Sequence, residues 1–385
     1  MIVFLLILLI LILVALSFDI VPLVFDAFWC MKIGSLKDKA WFEAASHVAQ
    51  KWCARGLPEV PRVAGKRLQI IDRLKNDYKS TTIQSWQTGS VLLSVNELNP
   101  QISKEAATKY IDPETGEWLK LIERVDFAFL AYSLLDNEYI DPDSIKPAMD
   151  SMASLLLEKF KKFGSIPYSQ NPDHRYVDTI GLVCPFLMKY SLVYGKPDAM
   201  KAAVSIIDEY EQNGLHDEFS VPVHCFNAKT KAPLGLYSWG RGCGWWAIGL
   251  AESFRILNET DSDSYIEEKK LILKNMLSFS KTMLAFQSNN GSFDRNIFAH
   301  SGADSSATAM IAYMLAYSGE LAGREDFTVG AKKAMSYIYS VTRRNGTVDY
   351  SQGDTMGIGF YSQESIVLPA TQGFALKTYM MLNKE

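Results

Sequence analysis

The stretch "NGSFDRN" (residues 290–296) closes one helical run, and three relatives of it recur along the chain: "FGSIPYS" (163–169), "NGLHDEF" (213–219) and "NGTVDYS" (345–351). Each puts a glycine (Gly164, Gly214, Gly291, Gly346) before a small or apolar residue and then an aromatic or acidic one. Such a glycine supplies the left-handed residue that ends a helix, and a short extended turn follows. The glycines lie roughly 50 to 77 residues apart, about the length of a helical hairpin with its loops. Between them, apolar residues recur at helical spacing, which predicts helices over 38–55, 64–76, 80–97, 117–135, 143–162, 176–194, 197–213, 241–257, 264–286, 304–321, 326–343 and 364–382. No run reads as a strand longer than about five residues, and no Pro/Gly/Ser linker divides the chain. The expected fold class is therefore all-α. Paired as six hairpins, the helices either stack as an open array or close into a double-ring toroid whose loops at one end form a ligand-binding cup.

The first residues, "MIVFLLILLILILVALS" (1–17), carry no charged side chain, and the apolar run continues past Asp19 through "IVPLVF" (20–25). That is long enough for one membrane span of about 20 residues. A cleaved signal peptide is the rival reading, because Ala15-Leu16-Ser17 has the form of a cleavage site. No Lys or Arg precedes the apolar run, and the first basic residues are Lys32, Lys37 and Lys39. The positive-inside rule then favours an uncleaved anchor with the bulk of the protein in the cytoplasm over a periplasmic or extracellular placement. The expected organisation is a hydrophobic anchor over 1–29 and one helical domain over 36–385.

Of the 385 residues, 48% are hydrophobic and 12% aromatic, and 39 Lys plus Arg stand against 43 Asp plus Glu. A net charge of -4 with no basic stripe argues against a nucleic-acid partner. Five cysteines (Cys30, Cys53, Cys184, Cys225, Cys243) form no C-x-x-C pair, so neither a zinc site nor a disulfide framework is indicated. Mostly free thiols suit a reducing compartment. The histidines show no ligand spacing, and no metal or organic cofactor is expected.

Three stretches carry chemistry. "RYVDTIGLVCPFLMKYS" (175–191) sets Asp178 in apolar surroundings. It reads either as a carboxylic acid facing a cavity, its pKa raised so that it donates a proton, or as a helix-capping residue. "LIERVDFAFLAYSLLD" (121–136) sets Asp126 on a similarly apolar helix, where it faces the same cup or forms a salt bridge with a neighbour such as Arg124. His224 lies in a loop beside Phe226 and Asn227. In "YSWGRGCGWWAIGLAESF" (237–254), Arg241 sits between two glycines with Trp239, Trp245 and Trp246 close by. A guanidinium fork matches a carboxylate and indoles offer flat faces, so the stretch suits an acidic sugar. Core tryptophans with glycines for close helix packing are the alternative.

"YSWGRGCGWWAIGLAE" is similar to the W-G-R-G-N-G-W signature of glycoside hydrolase families 88 and 105, the unsaturated uronyl hydrolases. "YVDTIGLVCPFL" (176–187) resembles their catalytic-aspartate segment and "GLHDEFSVPVHCFN" (214–227) their histidine loop. "SGADSSATAMIAYMLA" (301–316) and "YSQGDTMGIGFYSQESIVLPATQGFAL" (350–376) resemble a later helix start and the closing segment. The resemblance implies an (α/α)6 barrel acting on oligosaccharides that end in a C4=C5 unsaturated uronic acid, with hydration of the double bond as the reaction. It implies Asp178 as general acid/base, Asp126 as second carboxylate, and His224, Trp239, Arg241 and Trp245 at the sugar, with Ser305, Ser306 and Thr308 adding polar contacts from the rim. Where the signature has Asn this chain has Cys243, and Asn227 stands where the histidine loop has Asp. Two other activities fit the same toroid: hydrolysis or epimerisation of a saturated sugar, and glycan binding or assembly without catalysis at a membrane.

Overall fold

The computed structural model describes residues 1–60, 74, 81–260 and 263–384. Its first helix, α1 (Ile2–Cys30), buries none of its residues and is long and apolar enough to cross a membrane, as a signal sequence also is. Twelve further α-helices follow among the described residues. They are α2 (Asp38–Arg55), α3 (Thr81–Leu98), α4 (Pro100–Ala107), α5 (Phe127–Leu135), α6 (Lys146–Phe163) and α7 (Asp178–Tyr194). The rest are α8 (Pro197–Asn213), α9 (Gly240–Asn258), α10 (Ile266–Phe286), α11 (Ser305–Ala322), α12 (Glu325–Ser340) and α13 (Pro369–Leu382). Short strands β1 (His174–Tyr176), β2 (Val223–Asn227) and β3 (Pro233–Tyr237) form an antiparallel sheet, and β4 (Ser351–Gln352) pairs with β5 (Ser365–Ile366).

The helices form two concentric rings. Packing runs α3 to α5, α7, α9, α11, α13 and back to α3, so the inner ring closes and the open array is ruled out. The two layers differ as burial requires. α9 buries every residue from Gly240 to Phe254 and α11 every residue from Ser305 to Gly319, whereas α8 buries a stripe including Ala199, Ala203, Ile206 and Tyr210. Because each inner helix is followed by an outer return helix, the inner helices run parallel and their N-termini meet at one end. The longer loops and both small sheets gather there as the cup.

The seam between the last and first inner helices packs on a glycine. A Cβ on Gly373 of α13 would sit 2.1 Å from the Ser90 carbonyl oxygen of α3. A backbone atom there cannot swing aside, so Gly373→Ala should cost about 1–3 kcal/mol by forcing the seam apart. Urea unfolding measures this, and an unchanged midpoint would contradict it.

The end of the barrel opposite the cup holds a buried charge cluster. Glu252 of α9 is fully buried and accepts hydrogen bonds from the Tyr132 hydroxyl and from Arg255 Nε at 2.9 Å. Lys377 Nζ lies 3.7 Å from the other Glu252 oxygen and 2.5 Å from Glu97, and Arg255 also reaches Asp136 at 2.8 Å. Burial opposes ionisation of Glu252, but Lys377 and Arg255 outweigh it and hold the carboxyl down at about 2.

Several elements depart from the sequence reading. The helix expected over 117–135 begins only at Phe127, because residues before it turn back through an Ile111–Trp118 bridge. Asp126 therefore stands at the N-cap position of α5, outside the helix, and its side chain makes no capping hydrogen bond. The last helix begins at Pro369, which lacks the N–H that a helix interior needs and fits its first turn. α4 was not expected; it is short and begins at Pro100 behind an Asn99 cap. The helix expected over 64–76 lies outside the described residues apart from Leu74. Gly164 is the left-handed C-cap of α6 as expected. Gly291 and Gly346, also at positive φ, instead lie in turns beyond α10 and α12, whose C-caps are Gln287 and Val341. Gly214 does cap α8, yet with φ −110, and is small because a Cβ would lie 2.4 Å from the Tyr210 ring.

Candidate active site

The cup contains a cleft of about 780 Å³, and Asp126 and Asp178 both line it. Asp178 sits in the first turn of α7 and does not cap it, since the N-cap is Val177. It is the first residue of α7, at the N-terminus that opens on the cup, and its side chain borders the cleft. Its Oδ2 is buried without a hydrogen-bond partner among the described residues. Burial pushes the carboxyl up to about 7, against the opposing pull of its own backbone N–H and of Arg241, and Asp354 adds a further upward push. A proton is therefore held at this carboxyl near neutral pH. Asp126 is raised too, mainly by burial, and Arg124 pulls it back. That ion pair is loose, at 3.4 Å from an arginine side chain about half exposed, so it is worth little.

His224 of β2 stands beside Asp178, its Nε2 3.7 Å from Oδ2, too far for a hydrogen bond. Its Nδ1 and the Tyr361 hydroxyl share a hydrogen bond at 3.0 Å. Burial, helped by Arg241, lowers its pKa to about 3, so the imidazole is neutral and cannot pair with Asp178 as a cation. β2 puts it there: β1, which leads directly into α7, pairs with β2 in a register of Tyr176 to Cys225.

The tryptophan–glycine stretch divides between cleft and core. Trp239 and Trp245 line the cleft, whereas Trp246 is fully buried against Tyr210. The glycines serve close packing, the alternative that the sequence left open. A Cβ on Gly240 would lie 2.3 Å from the Asp294 carbonyl oxygen, one on Gly242 2.7 Å from the Trp239 ring, and one on Gly244 2.8 Å from Met310 Sδ. Arg241 lies in the cleft wall, but its fork is engaged. It donates to the carbonyls of Gln352 at 2.6 Å and Gly353 at 2.8 Å, and to Thr355 Oγ1 at 3.2 Å. Trp239 donates from Nε1 to Gln352 Oε1 at 3.0 Å, so both side chains pin the segment carrying Asp354 to the cup.

Ser305, Ser306 and Thr308 do not line the cleft. Ser306 donates to the Asp304 carboxylate, and Asp304 also accepts from the Gln352 N–H at 2.9 Å. Ser305 donates to the Asp349 carbonyl, and Thr308 donates to the Asp304 carbonyl. Ser305, and Ser306 through Asp304, hold the 349–352 segment from behind, while Thr308 also accepts from the Phe293 N–H; all three lie one layer away from the sugar site the resemblance gave them. Cys243 and Asn227, the two departures from the signature, are equally remote. Cys243 is buried in the core, and Asn227 accepts from the Lys229 and Thr230 N–H groups to form the β2–β3 turn. The cleft adds residues that sequence reasoning did not single out: Trp86, Tyr168, Tyr176, Lys159 and Asp354. Tyr168 and Tyr176 lay in plain view within "FGSIPYS" and "RYVD", but nothing in a sequence shows which face an aromatic loop residue takes. Among the described residues, no group of three or more His, Cys, Asp or Glu is placed to hold a metal ion.

Comparison with known proteins gives the same architecture. A possible member of glycoside hydrolase family 105 from Salmonella enterica aligns with a TM-score of 0.71 at 16% identity, covering 88% of this chain and 93% of that one. The unsaturated glucuronyl hydrolase responsible for the degradation of glycosaminoglycan from Bacillus sp. GL1 aligns with a TM-score of 0.65 at 16% identity, covering 89% and 97%. An unsaturated glucuronyl hydrolase specific for heparin aligns at 0.62 and 16%, covering 90% and 99%. No curated protein matches the chain. The model of Glycosyl Hydrolase Family 88 matches residues 101–382, from α4 to the end of α13. The chain belongs to that family and is a glycoside hydrolase.

Proposed function

We propose that the enzyme removes a terminal C4=C5 unsaturated uronic acid from an acidic oligosaccharide, with Asp178 as general acid and base. The Asp178 carboxyl gives its proton to C4, and positive charge develops across C5 and the ring oxygen. Water adds at C5 as the Asp178 carboxylate takes up one of its protons. The resulting hemiketal opens and expels the remaining sugar. No displacement by a second carboxylate is needed, unlike hydrolysis of a saturated glycoside. Trp239 and Trp245 offer apolar faces to the ring, and neutral His224 offers a donor or acceptor beside Asp178. Asp126 faces the cleft as the second carboxylate. Arg241 has two roles: it positions the 352–355 segment, and its charge favours a uronate nearby.

The observation that carries this reading is the unpartnered, buried Asp178 oxygen on a carboxyl pushed up to about 7. Such a group donates a proton only while protonated. As pH rises through about 7 the donor is lost, so kcat/KM should fall about tenfold per pH unit beyond that point. His224, with its pKa at about 3, adds no step between pH 5 and 8. The pH profile on an unsaturated uronyl disaccharide checks the first point. Turnover in deuterium oxide checks the chemistry, since hydration places one deuterium on C4 of the product. A profile flat to about pH 9, or a product without that deuterium, rejects Asp178 as the donor.

The same proposal makes α1 an uncleaved membrane anchor, supported by its 29-residue length and by the absence of Lys or Arg before Lys32. The positive-inside rule then puts the barrel on the cytoplasmic side.

A further inference from the structure

Outside α1, the large exposed apolar side chains are unevenly placed. Leu119, Leu121, Phe298, Tyr350, Met356 and Phe360 all lie on loops that lead into the inner helices, at the cup end. Leu121 is 83% exposed and Phe360 73%. Fewer lie towards the other end: Tyr139, Val193, Ile266 and Val329. Exposed Lys120 stands between Leu119 and Leu121, giving a basic head flanked by two apolar side chains. Apolar side chains interspersed with lysine are what the headgroup boundary of a bilayer accommodates.

A second observation concerns where α1 is attached. Asp26 pairs with Arg343 at 2.6 Å, the Arg344 guanidinium lies 3.4 Å from the centre of the Phe28 ring, and the Arg344 N–H donates to the Trp29 carbonyl. The Gly34 N–H donates to the Thr342 carbonyl. All these contacts fall on the turn after α12, where the outer ring reaches the cup. The same segment runs on through Tyr350, the residues that Arg241 grips, Met356 and Phe360. Because no residue of α1 is buried, the helix leaves the barrel at this point without lying along its side.

We propose that the mouth of the cup rests on the bilayer that α1 crosses, with the apolar rim inserted at headgroup level. This rests on the reading of α1 as an anchor. A mouth so placed receives acidic glycan presented at the membrane surface, such as a lipid-linked saccharide, in preference to chains free in bulk solution. The rim side chains then gain the burial they lack in water, and Lys120 meets anionic headgroups.

The test uses the full chain in pure lipid vesicles of phosphatidylcholine with about a quarter phosphatidylserine, so that no protein partner is present. With Cys30→Ser in every sample, a fluorophore is attached at Leu121→Cys, at Phe360→Cys or, at the opposite end, at Val193→Cys. All three positions are exposed, so folding should tolerate the label. The chain should float with the vesicles, and lipid-borne quenchers should reduce emission from 121 and 360 about twofold or more beyond that from 193. A chain that floats but shows equal quenching at all three positions keeps its anchor and overturns the placement of the cup. A chain that does not float overturns the anchor, and the placement with it.

Discussion

Asp178→Asn is expected to reduce kcat on an unsaturated uronyl disaccharide by about 10³-fold or more while leaving KM within a few-fold, because general acid–base catalysis is worth about 10²–10⁴. The amide has the size and shape of the acid, so the cleft should keep its form and its sugar. The stability change separates loss of chemistry from loss of fold. A carboxyl whose pKa is raised to about 7 on folding contributes stability that is present at low pH and lost as pH rises through that value. The asparagine variant loses no such contribution, so above pH 7 it should unfold at the same or higher denaturant concentration than wild type. A variant that keeps more than about a tenth of wild-type kcat shows that Asp178 does not supply the proton.

The second large effect lies at the other end of the barrel. Glu252→Gln should destabilise the fold by about 3 kcal/mol, the lower end of the cost of leaving a buried ion pair with one partner missing. Lys377 would keep Glu97, and Arg255 would keep Asp136, but both would lose the fully buried carboxylate between them. The pH dependence has a definite sign. Because folding lowers Glu252 to about 2 from an ordinary carboxyl value, its stabilisation is present above about pH 4.5 and disappears as pH falls through about 2. Urea unfolding should therefore find the largest gap between variant and wild type near neutrality and a narrower one in acid. An equal gap at all pH values would show that Glu252 acts by packing alone.

The repeating turns and the helical periodicity made the hairpin architecture legible, and Asp178 and Asp126 stood out because carboxylates are costly in apolar helices. Periodicity alone left ring closure open, since the Gly373–Ser90 contact joins residues from opposite ends of the domain; the (α/α)6 barrel came from the family resemblance. The helix expected over 117–135 starts too early because apolar residues at helical spacing (Trp118, Ile122, Val125) continue the pattern of α5 upstream, while the bridge that turns this segment aside pairs Ile111 with Trp118. The "WGRGCGWW" stretch divides: Trp239 and Trp245 line the cleft and Trp246 lies in the core. Its glycines pack against Asp294, Trp239 and Met310, and Arg241 is occupied by carbonyls more than a hundred residues downstream. Cys243, which stands where the signature has Asn, is buried in the core and does not line the cleft. Ser305, Ser306 and Thr308 looked like rim contacts, yet their hydroxyls bond the backbone and carboxylate behind the site, at Asp349 and Asp304. In each case the residue type was informative and its partner was not, because the partner is set by tertiary packing.

The most direct measurement of the central claim is the ultraviolet absorbance of the enol ether in unsaturated uronyl disaccharides incubated with the purified full chain. Hydration at C4=C5 destroys that chromophore, so the account predicts a steady loss of absorbance with wild type and none above background with Asp178→Asn. Constant absorbance across acidic disaccharides of differing linkage, with a protein that is folded and binds them, would contradict it.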